Sequence, residues 1–291
     1  MKRNRLFIMP FLVSCLFLGC NRNNNSPVSA LLQYREYSKN LVKTDLSSIS
    51  KALDKYKKLF TTAPLDYRDS AFVEFRNLFY NVINNYSDTF WNTPELVKKV
   101  NDKQNDDPAV KSLKTALDNN GLRLSITEGS YYIDEKPDYL INNFKSYTSQ
   151  GTIEFLNLRS EELQQGFSED AKLLITFQEL GNRIVAWQNY INKFPNSPLQ
   201  AEAKFSYHLY LNTFLTGLDN SPIANDDILI PEMKQVYRDF ITRNKDTESG
   251  KIVEKFFNIL AQNNFRLTED LDDFYQANQI ESMKGIQPPT R

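Results

Sequence analysis

The sequence predicts a mainly α-helical protein, built as stacked helical hairpins or as an irregular helical bundle, with one small β-hairpin near 122–134. Three observations predict it. Apolar residues recur at spacings of three and four along most of the chain, which gives each segment one apolar face at the period of a helix. Only 9 glycines occur in 291 residues, and Pro94, Pro108 and Pro231 stand where helices would begin. The spacing changes to alternation in a single stretch, 122–133.

At the N-terminus, Lys2, Arg3 and Arg5 precede an uncharged, largely apolar run, 6–19, that ends in Leu16-Phe17-Leu18-Gly19-Cys20. A basic segment followed by an apolar run too short to span a bilayer is the order of a secretory signal. With the small Gly19 before the cysteine, the run resembles the signal of bacterial lipoproteins, although Phe17 stands where that family usually has Leu. The resemblance implies a signal peptide over 1–19, cleavage before Cys20, and palmitate-type acyl chains on Cys20 that tether the protein to a membrane of the cell envelope. Residue 21 is Asn, not the Asp that favours inner-membrane retention in some Gram-negative cells, so the outer membrane or the cell surface is the expected location. Two or three acyl chains hold far more firmly than one. The polar run NRNNNSP then reads as a flexible tether within 20–30.

A short helix is expected over 31–37. A clearer one begins near 45–48, where side-chain oxygens can cap free backbone N–H groups, and it puts Ile49, Ala52, Leu53, Tyr56, Leu59 and Phe60 on one face. The next, 69–91, aligns Phe72, Phe75, Leu78, Phe79, Val82, Ile83 and Tyr86. Thr93-Pro94 and Asp107-Pro108 each read as a cap followed by a first helical residue, and the second of these helices stops at Asn119-Asn120-Gly121. Together these form an N-terminal helical region, 31–121. The connector 122–136 alternates Leu122, Leu124, Ile126 and then Tyr131, Ile133 around Glu128-Gly129-Ser130, the pattern of a β-hairpin. Helices resume over 137–147, 152–165 and 169–174. Thr176-Phe177-Gln178-Glu179 has the form of a capping box and opens a helix to 194. Further helices over 198–216, 231–242, 249–263 and 268–283 complete a C-terminal region, 137–284, before the frayed tail 285–291.

One arrangement recurs. Trp187-x-x-Tyr190-Ile191-x-x-Phe194-Pro195 is followed by a helix with Ala201, Ala203, Tyr207 and Tyr210. Tyr237-x-x-Phe240-Ile241 precedes a helix with Val253, Phe257 and Leu260, and Tyr56-x-x-Leu59-Phe60 precedes the helix through Phe72, Phe75 and Phe79. The run YINKFPNSPLQAEA, 190–203, resembles the inter-helix turn of tetratricopeptide-type repeats in bacterial envelope lipoproteins, which implies stacked antiparallel hairpins. The copies stand about 50 residues apart, where that family repeats at about 34. An irregular bundle of similar amphipathic hairpins remains the alternative.

Removing the signal takes Lys plus Arg from 35 to 32 against 36 acidic residues. That balance offers neither the basic clusters that bind nucleic acid nor a polybasic patch for anionic lipid, so no nucleic-acid partner is expected. Cys15 leaves with the signal and Cys20 is consumed by acylation, which removes disulfides and cysteine metal sites from the mature domain. Its 15 Tyr and 20 Phe are suited to building a core instead. No glycine-rich phosphate loop or dinucleotide fingerprint occurs, so no cofactor is expected.

His208 is the single histidine and stands among aromatics, without the partners that a general base or a metal site needs. Carboxylates are the remaining chemistry. Glu128, Asp134 and Glu135, beside Tyr131 and Tyr132, are what a glycan-binding or glycan-cleaving site would use, and Trp187 could border a groove between hairpins. The same residues also suit a turn, a solvated strand edge and a core. Asp219-Asn220-Ser221 with Asp226-Asp227 lacks the spacing of a calcium loop. The leading expectation is a non-enzymatic, membrane-tethered helical lipoprotein acting as an interaction or scaffold module for a protein partner in the envelope. A carbohydrate- or small-solute-binding lipoprotein, and a carboxylate-dependent hydrolase of an envelope polymer, are the alternatives.

Overall fold

A computed structural model describes residues 26–127 and 129–280. The signal 1–19, Cys20, Glu128 and the tail 285–291 lie outside the described residues. In chain order the elements are α1 (Pro27–Asn40), α2 (Ser47–Phe60), α3 (Leu65–Trp91), α4 (Pro94–Asn101), α5 (Pro108–Asn119), β1 (Leu122–Thr127), β2 (Ser130–Glu135), α6 (Tyr139–Phe144), α7 (Gln150–Gln165), β3 (Ser168–Glu169), β4 (Lys172–Leu173), α8 (Phe177–Lys193), α9 (Gln200–Thr216), β5 (Ala224–Asn225), β6 (Ile228–Leu229), α10 (Pro231–Asn244) and α11 (Glu248–Gln262), then a 3₁₀ turn (Glu269–Leu271) and α12 (Asp272–Ala277). The protein is mainly α, made of helical hairpins with small antiparallel β-hairpins between them.

The start signals do what their chemistry allows. Ser26, Asp107, Ser149, Thr176 and Thr247 each accept a hydrogen bond from a backbone N–H of the turn that follows, leaving fewer orphan donors at those helix starts. Gly121 closes α5 at φ +75°, and the Tyr139 ring occupies the space a Cβ would need there. The predicted hairpin is present, with Leu122 opposite Glu135 and Thr127 opposite Ser130.

Four expectations need correction. The helix over 169–174 is instead the β3–β4 hairpin, because Asp170 and Ala171 both take left-handed backbone (φ 49° and 52°), which ends any helix and closes a two-residue turn. A third hairpin, β5–β6, turns on Asp226 and Asp227 in the same conformation, so the break at 122–136 is one of three. The helix over 268–283 shrinks to the 3₁₀ turn and α12, stopped before the left-handed Gln279. The tether is shorter than 20–30 and the first helix longer than 31–37, since α1 begins at Pro27 with a cap from Ser26 and runs to Asn40.

The hairpins stack with one continuous core. In the N-terminal half, Tyr34, Tyr56, Phe60, Phe72 and Phe75 are fully buried, and Phe144 of α6 inserts among them at ring distances of 4.9 Å from Tyr56 and 4.8 Å from both Phe72 and Phe75. In the C-terminal half, Trp187 packs on Phe155 and Tyr190, and Phe214 packs on Tyr237 and Phe240. Edge-to-face pairs of this kind add about 0.5–1.5 kcal/mol each beyond the area they bury.

The stack has two distinct ends. At one end lie the helix–helix turns: the start of α3 meets the turn before α7 through Arg68 Nη1 to the Tyr147 carbonyl (3.3 Å) and the Ser149 N–H to Asp69 Oδ1 (2.9 Å). Lys193, at the end of α8, reaches Glu154 near the start of α7 at the same end. At the opposite end lie the β-hairpins.

Candidate functional site: a buried charged joint beneath a rim of hairpins

Three arginines occupy positions in apolar helix stripes. Arg76 follows Phe72 by four residues and precedes Phe79 by three; Arg159 follows Phe155 by four; Arg183 stands between Leu180 and Trp187. Helix geometry therefore carries all three inward, and a buried cation must be paired and hydrogen-bonded. Arg76 makes a two-pronged pair with Glu202 of α9 (2.6 and 2.7 Å) and lies 5.2 Å over the Phe155 ring. Its Nη2 also lies 3.4 Å from the Tyr80 hydroxyl, which donates to Glu135 of β2 at 3.1 Å. Arg159 joins Glu135 (3.4 Å) to Glu162 (3.2 Å), and the Trp187 Nε1–H donates to Glu162 Oε1 at 2.5 Å. Arg183 donates to Gln165 Oε1 (2.9 Å) and to the Gly166 carbonyl (2.8 Å), and lies over the Tyr210 ring.

The joint is charge-balanced: Arg76, Arg159 and Arg183 against Glu135, Glu162 and Glu202. Burial opposes the charge on Arg76, but the two-pronged Glu202 carboxylate holds the guanidinium charged, above its ordinary pKa. Arg159 follows the same logic, with the Glu135 and Glu162 carboxylates opposing the cost of burial. Burial first, then the Glu135 carboxylate, pushes the Tyr80 phenol up, which keeps it a protonated donor. The cavity enclosed among Arg76, Tyr80, Glu135 and Arg159 measures about 10 Å³, room for one water and not for a sugar ring. Chemically the joint clamps α3, β2, α7, α8 and α9 in one arrangement.

The rim lies at the hairpin end and is sewn together by backbone. Thr127, at the tip of β1, donates to Glu169 of β3 (3.1 Å). Asn220 binds the β3–β4 turn through its N–H to the Ala171 carbonyl (2.9 Å) and its Nδ2 to the Asp170 carbonyl (2.6 Å). Leu229 of β6 donates to the Phe265 carbonyl (2.8 Å), and Leu267 to the Asp227 carbonyl (2.7 Å). Three of these linkers carry a pair of left-handed, non-glycine residues: Asp170–Ala171, Asp226–Asp227 and Asn264–Phe265. Ile126, Tyr132, Leu174 and Ile228 are exposed along this edge, next to the acidic Asp170, Asp226 and Asp227.

The candidate residues read from sequence do not converge. Glu128 lies outside the described residues. Tyr132 and Asp134 share the outer face of β2, where Asp134 pairs with Arg123 of β1 at 3.1 Å, while Tyr131 leans on the core from the other face. Trp187 is fully buried and bound to Glu162, so it borders no groove; its spacing gave it a core position, not a surface one. His208 is half-buried on α9, its pKa lowered by burial against a weaker pull from Glu248, and its Nδ1 has no partner. Among the described residues no group of three His, Cys, Asp or Glu side chains is placed to hold a metal ion, and no helix is long and apolar enough to cross a membrane. Sequence reasoning missed the joint, and the signal was present in the arginines that interrupt apolar stripes.

Compared with protein-family models, with curated proteins and with solved structures, the chain matches none.

Proposed function

We propose that this protein is a lipid-anchored scaffold of the bacterial cell envelope that presents its hairpin rim to a protein partner. The anchor rests on the LFLGC run after Lys2, Arg3 and Arg5, with acylation at Cys20. The observation that carries the interaction reading is that exposed Ile126, Tyr132, Leu174 and Ile228 all lie in or directly after the β-hairpins, on linkers tied to one another by hydrogen bonds and beside acidic side chains, with Ile126 and Tyr132 on opposite faces of the first hairpin. Apolar groups rimmed by polar ones are the usual composition of a protein-binding surface. The hairpins are tetratricopeptide-like in this reading, with the partner surface on the linkers instead of in a concave groove. Chemistry on substrate is not part of it: Glu135 and Glu162 are both engaged by Arg159 around a one-water cavity, and Asp134 by Arg123.

Photo-crosslinking in the native membrane tests the proposal. A photoreactive residue at Ile228 or Leu174 should give a discrete adduct, and one at Lys57 or Lys193, at the turn end, should not. Equal labelling at all four positions would remove the rim from consideration. The carbohydrate reading keeps one supporting feature, the exposed Tyr132 ring two residues from Asp134 on the same strand face. A glycan-dependent rise in melting temperature that Tyr132→Ala abolishes would favour it over the scaffold reading.

A further inference from the structure

We infer that the turn end of the molecule, at the N-terminus of α1, docks on the lipid surface, so that the hairpin rim faces away from the membrane. This rests on acylation of Cys20. Val28 and Leu32, one turn apart on the outer side of α1, are 52% and 58% exposed, and Leu65, the first residue of α3, is 51% exposed. They belong to one end. Arg35 pairs with Glu74 at 2.7 Å, each lying a similar distance into its helix, so α1 and α3 run parallel with their N-termini together. Tyr34 packs on Phe60, the last residue of α2, at 5.6 Å, which brings the α2–α3 turn to the same place. The first turn of α1 carries no acidic residue to repel an anionic headgroup, and that of α3 carries one, the exposed Asp66.

Chain length chooses the occupant. From Cys20 to Ser26 the backbone spans at most about 21 Å, whatever its conformation. An acylated Cys20 at the bilayer interface therefore keeps the start of α1 beside the lipid, where apolar side chains on a helix are favoured at the headgroup boundary. The 17 residues of α8, like those of α9, then separate this end from the rim by about 25 Å. Val42, at the opposite end of α1, is 59% exposed and serves as an internal control, because exposure without proximity predicts no lipid contact.

The test uses the acylated protein expressed with its own signal, in which a single added cysteine is the sole free thiol. Leu32→Cys, Val42→Cys and Asp227→Cys are labelled with one fluorophore and reconstituted in phosphatidylethanolamine–phosphatidylglycerol vesicles carrying a nitroxide high on the acyl chain. The label at position 32 should be quenched at least about threefold more than those at 42 and 227, as expected for contact confined to the headgroup boundary. Equal quenching at the three positions, in protein that floats with the vesicles, would overturn the docking and leave the anchor standing. Protein that fails to float, and behaves the same after Cys20→Ser, would overturn the anchor and the docking with it. Shielding of position 32 from an aqueous quencher without quenching by lipid nitroxide would assign that face to a protein neighbour and also overturn the inference.

Discussion

The buried joint and the exposed rim are both polar features in a chain that is otherwise an aromatic, helical core, yet they satisfy their polar groups in different ways. In the joint, side chains from five elements neutralise one another, as with buried Arg76 against the half-exposed Glu202 and Arg159 between the buried Glu135 and Glu162. At the rim, neighbouring linkers pair largely through backbone groups, as with Asn220 and Ala171 or Leu229 and Phe265, helped by polar side chains such as Thr127 and Asn220, while Ile126, Leu174 and Ile228 stay exposed. Removing one member of the joint strands a buried charge, whereas removing a rim side chain strands nothing. Single changes in the joint are therefore expected to cost more stability than single changes at the rim.

The largest test is Glu162→Ala, which leaves Arg159 with one acceptor fewer and orphans the Trp187 N–H. Breaking a buried pair in this way should cost about 3–5 kcal/mol, measured by urea or guanidinium unfolding. A loss below about 1 kcal/mol would mean that the joint is incidental to folding. Alkaline pH comes next. Burial raises the phenol pKa of Tyr34, Tyr56 and Tyr237 above the ordinary 10.0. The unfolded chain then loses those protons first, so their stabilisation is complete below pH 10 and is lost as pH rises beyond it. Tyr237→Phe, which removes the hydroxyl bonded to the Phe214 carbonyl (2.8 Å), should make that decline shallower at a cost near neutral pH of about 1–2 kcal/mol.

The rim should respond in the opposite direction or hardly at all. Ala171 holds φ 52°, a conformation that disfavours a Cβ, so Ala171→Gly should raise stability by about 1 kcal/mol. A destabilised Ala171→Gly variant would show that the turn is not strained. The smallest stability effect is expected of Ile228→Ser, within about 0.5 kcal/mol of the parent, while the crosslink from a photoreactive residue at position 174 to a partner is lost. A large stability loss at Ile228 would erase the distinction between joint and rim.

Helix positions were legible wherever a face was long enough to repeat. Phe72, Phe75 and Phe79, or Leu180, Ile184 and Trp187, announce their helices because every third or fourth residue must turn inward. The β3–β4 and β5–β6 hairpins were not legible. Two-residue strands have no period, and turns such as Asp170–Ala171 and Asp226–Asp227 lack the glycine that usually marks left-handed backbone. Trp187 shows the same limit at the level of a site: its spacing placed it on an apolar face, but not what that face would meet.

By itself the chain determined the helices, their caps and the signal-like N-terminus with Cys20, because these depend on residues a few positions apart. Only the tertiary structure decided that Arg76 would find Glu202, that Glu135 would face Arg159 while Asp134 faced Arg123, and that three linkers would line up as one rim opposite the start of α1. Those pairings join residues as far as 126 positions apart, and their partners are chosen by how the apolar faces pack, which no local pattern encodes.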